Sequence, residues 1–144
     1  MVIGINKLDE ILGTEMFNKY VQVLLTDRGS EFTAADTMEN RIDGSRRTRV
    51  PMQSEQKGSL ENNHKELRYI LPKEYTFKSL GLNSQEKLNL IISHLNSSPK
   101  EKLDGKSPIE LTMFLYPALM KKLNDFGITL ISIDKITLTP SLIK

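Results

Sequence analysis

From residue 51 onward this chain is punctuated by Pro51, Pro72, Pro99, Pro108 and Pro117. Proline has no amide proton and its ring clashes with the preceding turn, so a helix ends before it or starts at it. The second half is therefore expected to fold as a series of short helices. Helices this short gain most of their stability from packing an apolar face.

The segments between the prolines carry helix start and stop signals. Ser59 is a good N-cap for a helix running to Leu71, just before Pro72. Leu60, Leu67 and Leu71 share one face of it, and Glu61, Lys65 and Arg68 share another. Asn83 with Glu86 predicts a capping box for a second helix, whose apolar stripe is Leu88, Ile91, Ile92 and Leu95. Ser107, Pro108 and Glu110 combine an N-cap, a first-turn proline and a box-closing carboxylate for a third. Pro117 restarts a helix that Gly127 ends.

The first half reads differently. Ile5, Leu8, Ile11 and Leu12 recur at helical spacing, with Gly13 as the stop. The run "KYVQVLLT", residues 19–26, is apolar and β-branched enough to predict a mostly buried strand ending at Asp27. Thr33 caps a short predicted helix, and a short strand is expected at Thr48 to Val50 before Pro51. Alternation at Ile136, Thr137 and Leu138 predicts a terminal strand or extended arm. Asp43-Gly44 and Asp104-Gly105 read as turns.

With 144 residues, 38% hydrophobic and 26% charged, the chain can bury a core about one domain in size. It has no cysteine, so disulfide frameworks and thiolate metal sites are excluded. No apolar run approaches the roughly 20 residues of a membrane span, and the N-terminus lacks a secretory pattern, so a cytoplasmic protein without membrane partners is expected. The net charge of +2 is small, but the basic residues cluster. Arg41, Arg46, Arg47 and Arg49 crowd one stretch, Lys57, Lys65, Arg68 and Lys73 the next, and Lys100, Lys102 and Lys106 a third. Such clusters suit a nucleic-acid backbone, and equally a solvated surface.

One spacing ties these features together. Asp27 closes the predicted strand in "TDRGSEF", and thirty-three residues separate it from Glu61, in the first turn of its helix. Arg68 follows seven residues later on the same face. A carboxylate near a helix N-terminus is also favourable by dipole alone, and Glu61, Lys65 and Arg68 can form ordinary helix ion pairs. His64 fits a packed or surface histidine better than a ligand, and His94 takes no functional role.

The three blocks "TDRGSEF", "PMQSEQKGSLEN" and "RYILPK" together resemble the second half of the DDE signature of insertion-sequence transposases and retroviral-type integrases. The likeness is greatest to the insertion-sequence-thirty group of bacterial transposases. It continues through "NSSPKEKLDGKSPIEL" and covers residues 5–116. Arg28 stands where that group usually has Asn, and Glu55 where it often has Trp.

The resemblance implies an α/β fold, a partial RNase H-like integrase core lacking its first strands, with a helix-rich C-terminal half. Residues 1–116 would form the C-terminal portion of that core, and residues 117–144 a helix plus an extended or strand-like tail. The family's first aspartate and its helix-turn-helix DNA reader would lie outside this chain, which alone is not expected to turn over. The implied chemistry is DNA cleavage and strand transfer at two Mg²⁺ or Mn²⁺ ions about 4 Å apart, held by carboxylates. Asp27 and Glu61 would be the catalytic metal ligands. Lys57, Lys65, Arg68, Arg46, Arg47 and Arg49 would contact DNA, at transposon ends and target, in the bacterial nucleoid. A second copy or a full-length transposase would be the protein partner. The competing expectation is a catalytically inactive remnant that binds DNA or transposase as a regulator.

Overall fold

The structure is a computed structural model that describes residues 2–26, 48–51, 57–76 and 78–143, with side chains described except at 2–4, 23–26, 48–51, 57–61 and 63. The chain divides into two compact units, Met1–Ser59 and Leu60–Lys144.

In the first unit, helix α1 (Val2–Leu12) is followed after Gly13 by α2 (Thr14–Tyr20). Gly13 sits at φ 78°, a left-handed conformation that glycine adopts without Cβ strain, and its amide closes α1 by donating to the Asp9 carbonyl. The buried stripe of α1 is Ile5, Asp9 and Leu12, spaced by four and three residues, while Leu8 is exposed. Asp9 thus takes the inward position expected of Leu8. In α2, Phe17 is fully buried. Two four-residue strands, β1 (Val23–Thr26) and β2 (Thr48–Pro51), pair in parallel with Val23 opposite Thr48 and Thr26 opposite Pro51.

The second unit is helical. Helix α3 (Lys57–Ile70) enters it, followed by α4 (Gln85–Ser97), α5 (Pro108–Leu115) and α6 (Pro117–Asp125). Its core joins Ile70 of α3, Leu80, Ile91 of α4 and Ile143 near the C-terminus. Leu67, Leu71, Leu82, Leu95, Leu138 and Leu142 pack around these four.

These elements correct the expected fold class. Among the described residues the protein is helical, and an isolated pair of four-residue strands is not the layered sheet of an α/β, RNase H-like core. Two local outcomes account for the difference. Residues 19 and 20 of the predicted strand belong to α2, whose packing of Phe17 overrides a β propensity that is itself context-dependent. The tail forms no strand. It folds into 3₁₀ turns at Ile133–Lys135 and Pro140–Ile143 and returns to the core, where Ile143 is buried.

The caps show which start signals the chain uses. Ser107 accepts from the Glu110 amide while the Glu110 carboxylate accepts from the Ser107 amide, the expected box with Pro108 in the first turn. Hydrogen bonds from the Ser107 amide, and then from its hydroxyl, to the ionised carboxylate lower the Glu110 pKa. The N-cap of α4 is Ser84, not Asn83: its hydroxyl accepts from the Lys87 amide at 3.3 Å. The Asp104-Gly105 turn forms, with both residues at positive φ.

Helix α4 binds the tail through a line of polar side chains. Asn89, Ser93 and Ser97, four residues apart, are buried together with His94. Asn89 Nδ2 donates to the Phe126 carbonyl at 2.6 Å. The hydroxyls of Ser93 and Ser97 accept from the amides of Thr129 and Ile131 at 3.0 and 2.9 Å. His94 Nδ1 accepts from the Thr137 amide at 3.0 Å. Lys87 Nζ donates to the carbonyls of Gly81 and Ile143, both at 2.8 Å. Gly127, at φ 97°, lets the chain pass this line, since a Cβ there would lie 3.0 Å from Asn89 Nδ2. Ordered in this way, the extended tail has hydrogen-bond partners without a neighbouring strand.

One prediction follows from His94. Burial lowers its pKa below the ordinary 6.5, and its Nδ1 must stay unprotonated to accept from Thr137. The unfolded chain therefore takes up the proton first as pH falls. His94 contributes stability that is complete above about pH 6.5 and is lost as pH falls through the lowered folded value. The urea midpoint is expected to drop between pH 7.5 and pH 5.5, and to drop less in a His94→Gln variant. Equal drops in both proteins would assign the acid sensitivity to other groups.

Candidate nucleic-acid interface

The expected DNA-contacting residues meet the described structure at α3. Helix α3 is continuous from Lys57 to Ile70, so Glu61 and Arg68 lie two turns apart on one face, seven residues being nearly two full turns. Lys65 and Arg68 are exposed on that helix. Arg68 occupies the last turn, where a cation also complements the negative end of the helix dipole. Glu66 of the same helix pairs with the part-buried Lys100 ammonium.

The end of α3 is fixed by Pro72. Leu71 still donates to the Leu67 carbonyl, but the chain then turns, with the Tyr75 amide donating to the Pro72 carbonyl at 3.3 Å. That turn brings Tyr75 beside the helix end and encloses an open groove of about 480 Å³. Leu67, Leu71 and Pro72 form its apolar floor, and the two leucines also touch the core of the unit. Arg68, Lys73 and the exposed His64 line it as well. Among the described residues no carboxylate lines the groove. Tyr75 is 58% exposed, and Tyr69, on the same helix but outside the lining, is 64% exposed.

Such a surface can attract a phosphate and offers an aromatic face beside it. Arg presents a planar fork of donors to phosphate oxygens, and Lys adds a point charge. An exposed tyrosine next to cations is a standard stacking platform for nucleic-acid bases.

The other expected site residues fall elsewhere. Asp27, Arg46 and Arg47 lie outside the described residues. Arg49 is in β2, and Lys57 and Glu61 are in α3, with side chains outside the description. Among the described residues no three His, Asp or Glu side chains are placed to hold a metal ion. Among the same residues no helix is long and apolar enough to cross a membrane.

Sequence reasoning did not single out Tyr75, whereas His64, expected as a packed or surface histidine, is exposed. The available signal was an aromatic three residues past a helix-ending proline, within reach of the basic end of α3. Comparison of the chain with protein-family models, with curated proteins and with solved structures gave no match.

Proposed function

We propose that this chain is part of a DNA transposase of the insertion-sequence-thirty type and that it engages DNA phosphates through Lys65 and Arg68 of α3. The observation that carries the reading is the position of Arg68. It is exposed seven residues beyond Glu61 on one continuous helix, and it borders a cationic groove without carboxylates among the described residues. The three sequence blocks around Asp27, Glu61 and Pro72 supply the reaction class, Mg²⁺-dependent cleavage and strand transfer on DNA, with Asp27 and Glu61 as the ligands.

Salt dependence tests the phosphate contacts. Each neutralised phosphate contributes about 0.9 to the slope of log affinity against log salt on duplex DNA. The Lys65→Ala/Arg68→Ala variant is expected to bind a short duplex more weakly, with a slope shallower by about 2. An unchanged slope would remove α3 from the interface. Mn²⁺-dependent joining of a transposon-end oligonucleotide to a target duplex, lost in Glu61→Gln, would support the transferase chemistry. Because the chain alone is not expected to turn over, binding without joining fits both the transposase reading and the regulatory one.

A further inference from the structure

We infer that the groove at the end of α3 receives an unpaired nucleotide of a DNA strand, its base on Leu67, Leu71 and Tyr75 and its phosphate on Arg68 and Lys73. This inference rests on the reading of α3 as a DNA-contacting helix and specifies the form of DNA it holds.

The lining chooses between paired and unpaired DNA. A duplex presents charged phosphates on its outside and keeps the faces of its bases stacked inside. Cations alone would serve it, and an apolar floor would gain nothing. This groove has both parts. Leu67, Leu71 and Pro72 give a half-buried apolar floor, and Tyr75 stands beside it with most of its surface in water. Arg68 and Lys73 supply positive charge that no lining carboxylate among the described residues opposes. A free base has two π faces and an attached phosphate, and it satisfies both parts at once. At about 480 Å³ the groove lies in the size range of small-ligand sites, roughly 300–1,000 Å³.

The position also fits a strand already held upstream. Lys65 and Arg68 are one turn apart on α3, and Pro72 to Tyr75 follow directly beyond the helix end. A strand whose phosphates track α3 reaches the groove without leaving the protein surface.

The chain has four tyrosines and no tryptophan, so its ultraviolet emission comes from tyrosine and reports base stacking directly. The experiment uses the full chain, a ten-nucleotide oligothymidylate and a mixed-sequence duplex of ten base pairs, at fixed salt. Affinity is read by anisotropy of a label on the DNA, and stacking by quenching of tyrosine emission. The wild-type chain is expected to prefer the single strand and to lose emission as it binds. Tyr75→Ala should lower oligothymidylate affinity roughly tenfold, the scale of one lost stacking contact, and bring the single-strand to duplex ratio toward one. Tyr75→Phe should restore both affinity and ratio, and Tyr69→Ala, outside the groove, should keep the ratio. A matched melting temperature for Tyr75→Ala and wild type checks that the fold is intact.

Equal affinities for both DNAs, unaltered by Tyr75→Ala, would overturn the inference and leave the phosphate contacts of α3 standing. Affinity for neither DNA would overturn the inference together with the reading beneath it. A loss in Tyr75→Ala that Tyr75→Phe does not repair would also overturn it, since the phenyl ring stacks as well as the phenol.

Discussion

Replacing Ile91 with alanine is expected to lower the stability of the second unit by about 3 kcal/mol, within the range of roughly 2–5 kcal/mol measured for such truncations in packed cores. Ile91 is fully buried at the centre of α4, in a cluster with Ile70, Leu80 and Ile143 that draws on three separate stretches of the unit. Removing three carbons costs their transfer free energy and leaves a cavity that neighbours on different elements cannot fill together. Urea unfolding followed by circular dichroism measures the loss. Leu88 gives the internal control. It lies on the same helix and belongs to the stripe expected from sequence, yet it is part-exposed at 37%, so Leu88→Ala should cost well under half as much. Equal losses at the two positions would mean that α4 is rotated relative to the packing described above.

The second large effect is expected in the Ser93→Ala/Ser97→Ala variant. Each hydroxyl is buried and accepts one tail amide, from Thr129 and Ile131. Alanine removes the acceptor and leaves the amide to find water or go unpaired, at about 1 to 1.5 kcal/mol for each bond. The two together should destabilise the unit by about 2–3 kcal/mol. Native-state hydrogen exchange distinguishes this cause from a general loss of packing. The amides of Thr129 and Ile131 should exchange much faster in the variant, while amides in the middle of α4 change only by the global loss. Uniform acceleration would mean that these serines act through packing and not as acceptors for the tail.

Much of the helical framework was legible because it is encoded locally. The box of Ser107, Pro108 and Glu110 needs only three neighbouring residues to form, and Gly13 and Gly127 take up positive φ at the helix ends where glycine was expected. Proline was equally reliable: Pro72 lies just beyond α3, and Pro117 begins α6. At the end of α3 the cations Lys65 and Arg68 were legible on one helix face, but not the groove between Leu67, Pro72 and Tyr75, which exists only once the chain turns back after Pro72.

The misreadings share a cause. The apolar stripe of α4 drew no attention to Asn89, Ser93 and Ser97, and His94 was given no role. All four are buried because a tail more than thirty residues away lies against them. Likewise Asp9 takes an inward place and Leu8 an outward one on α1. The strands expected up to Thr26 and at Thr48 to Val50 do form and pair, but they build no layered sheet. Residues 19 and 20 answer to the burial of Phe17 in α2, and the alternating tail lies against α4 as an arm rather than adding a strand.

By itself the sequence determined most helix ends of the second unit, because caps, prolines and glycines act through bonds and clashes within one turn of the chain. Helix α3 nevertheless begins at Lys57, two residues before the expected cap Ser59, and α2 was not foreseen. Tertiary structure decided which faces are buried, whether a β-prone run becomes a strand, and what the polar line of α4 binds. Those outcomes depend on which distant backbone arrives to satisfy a donor or cover an apolar surface, and no local pattern carries that information.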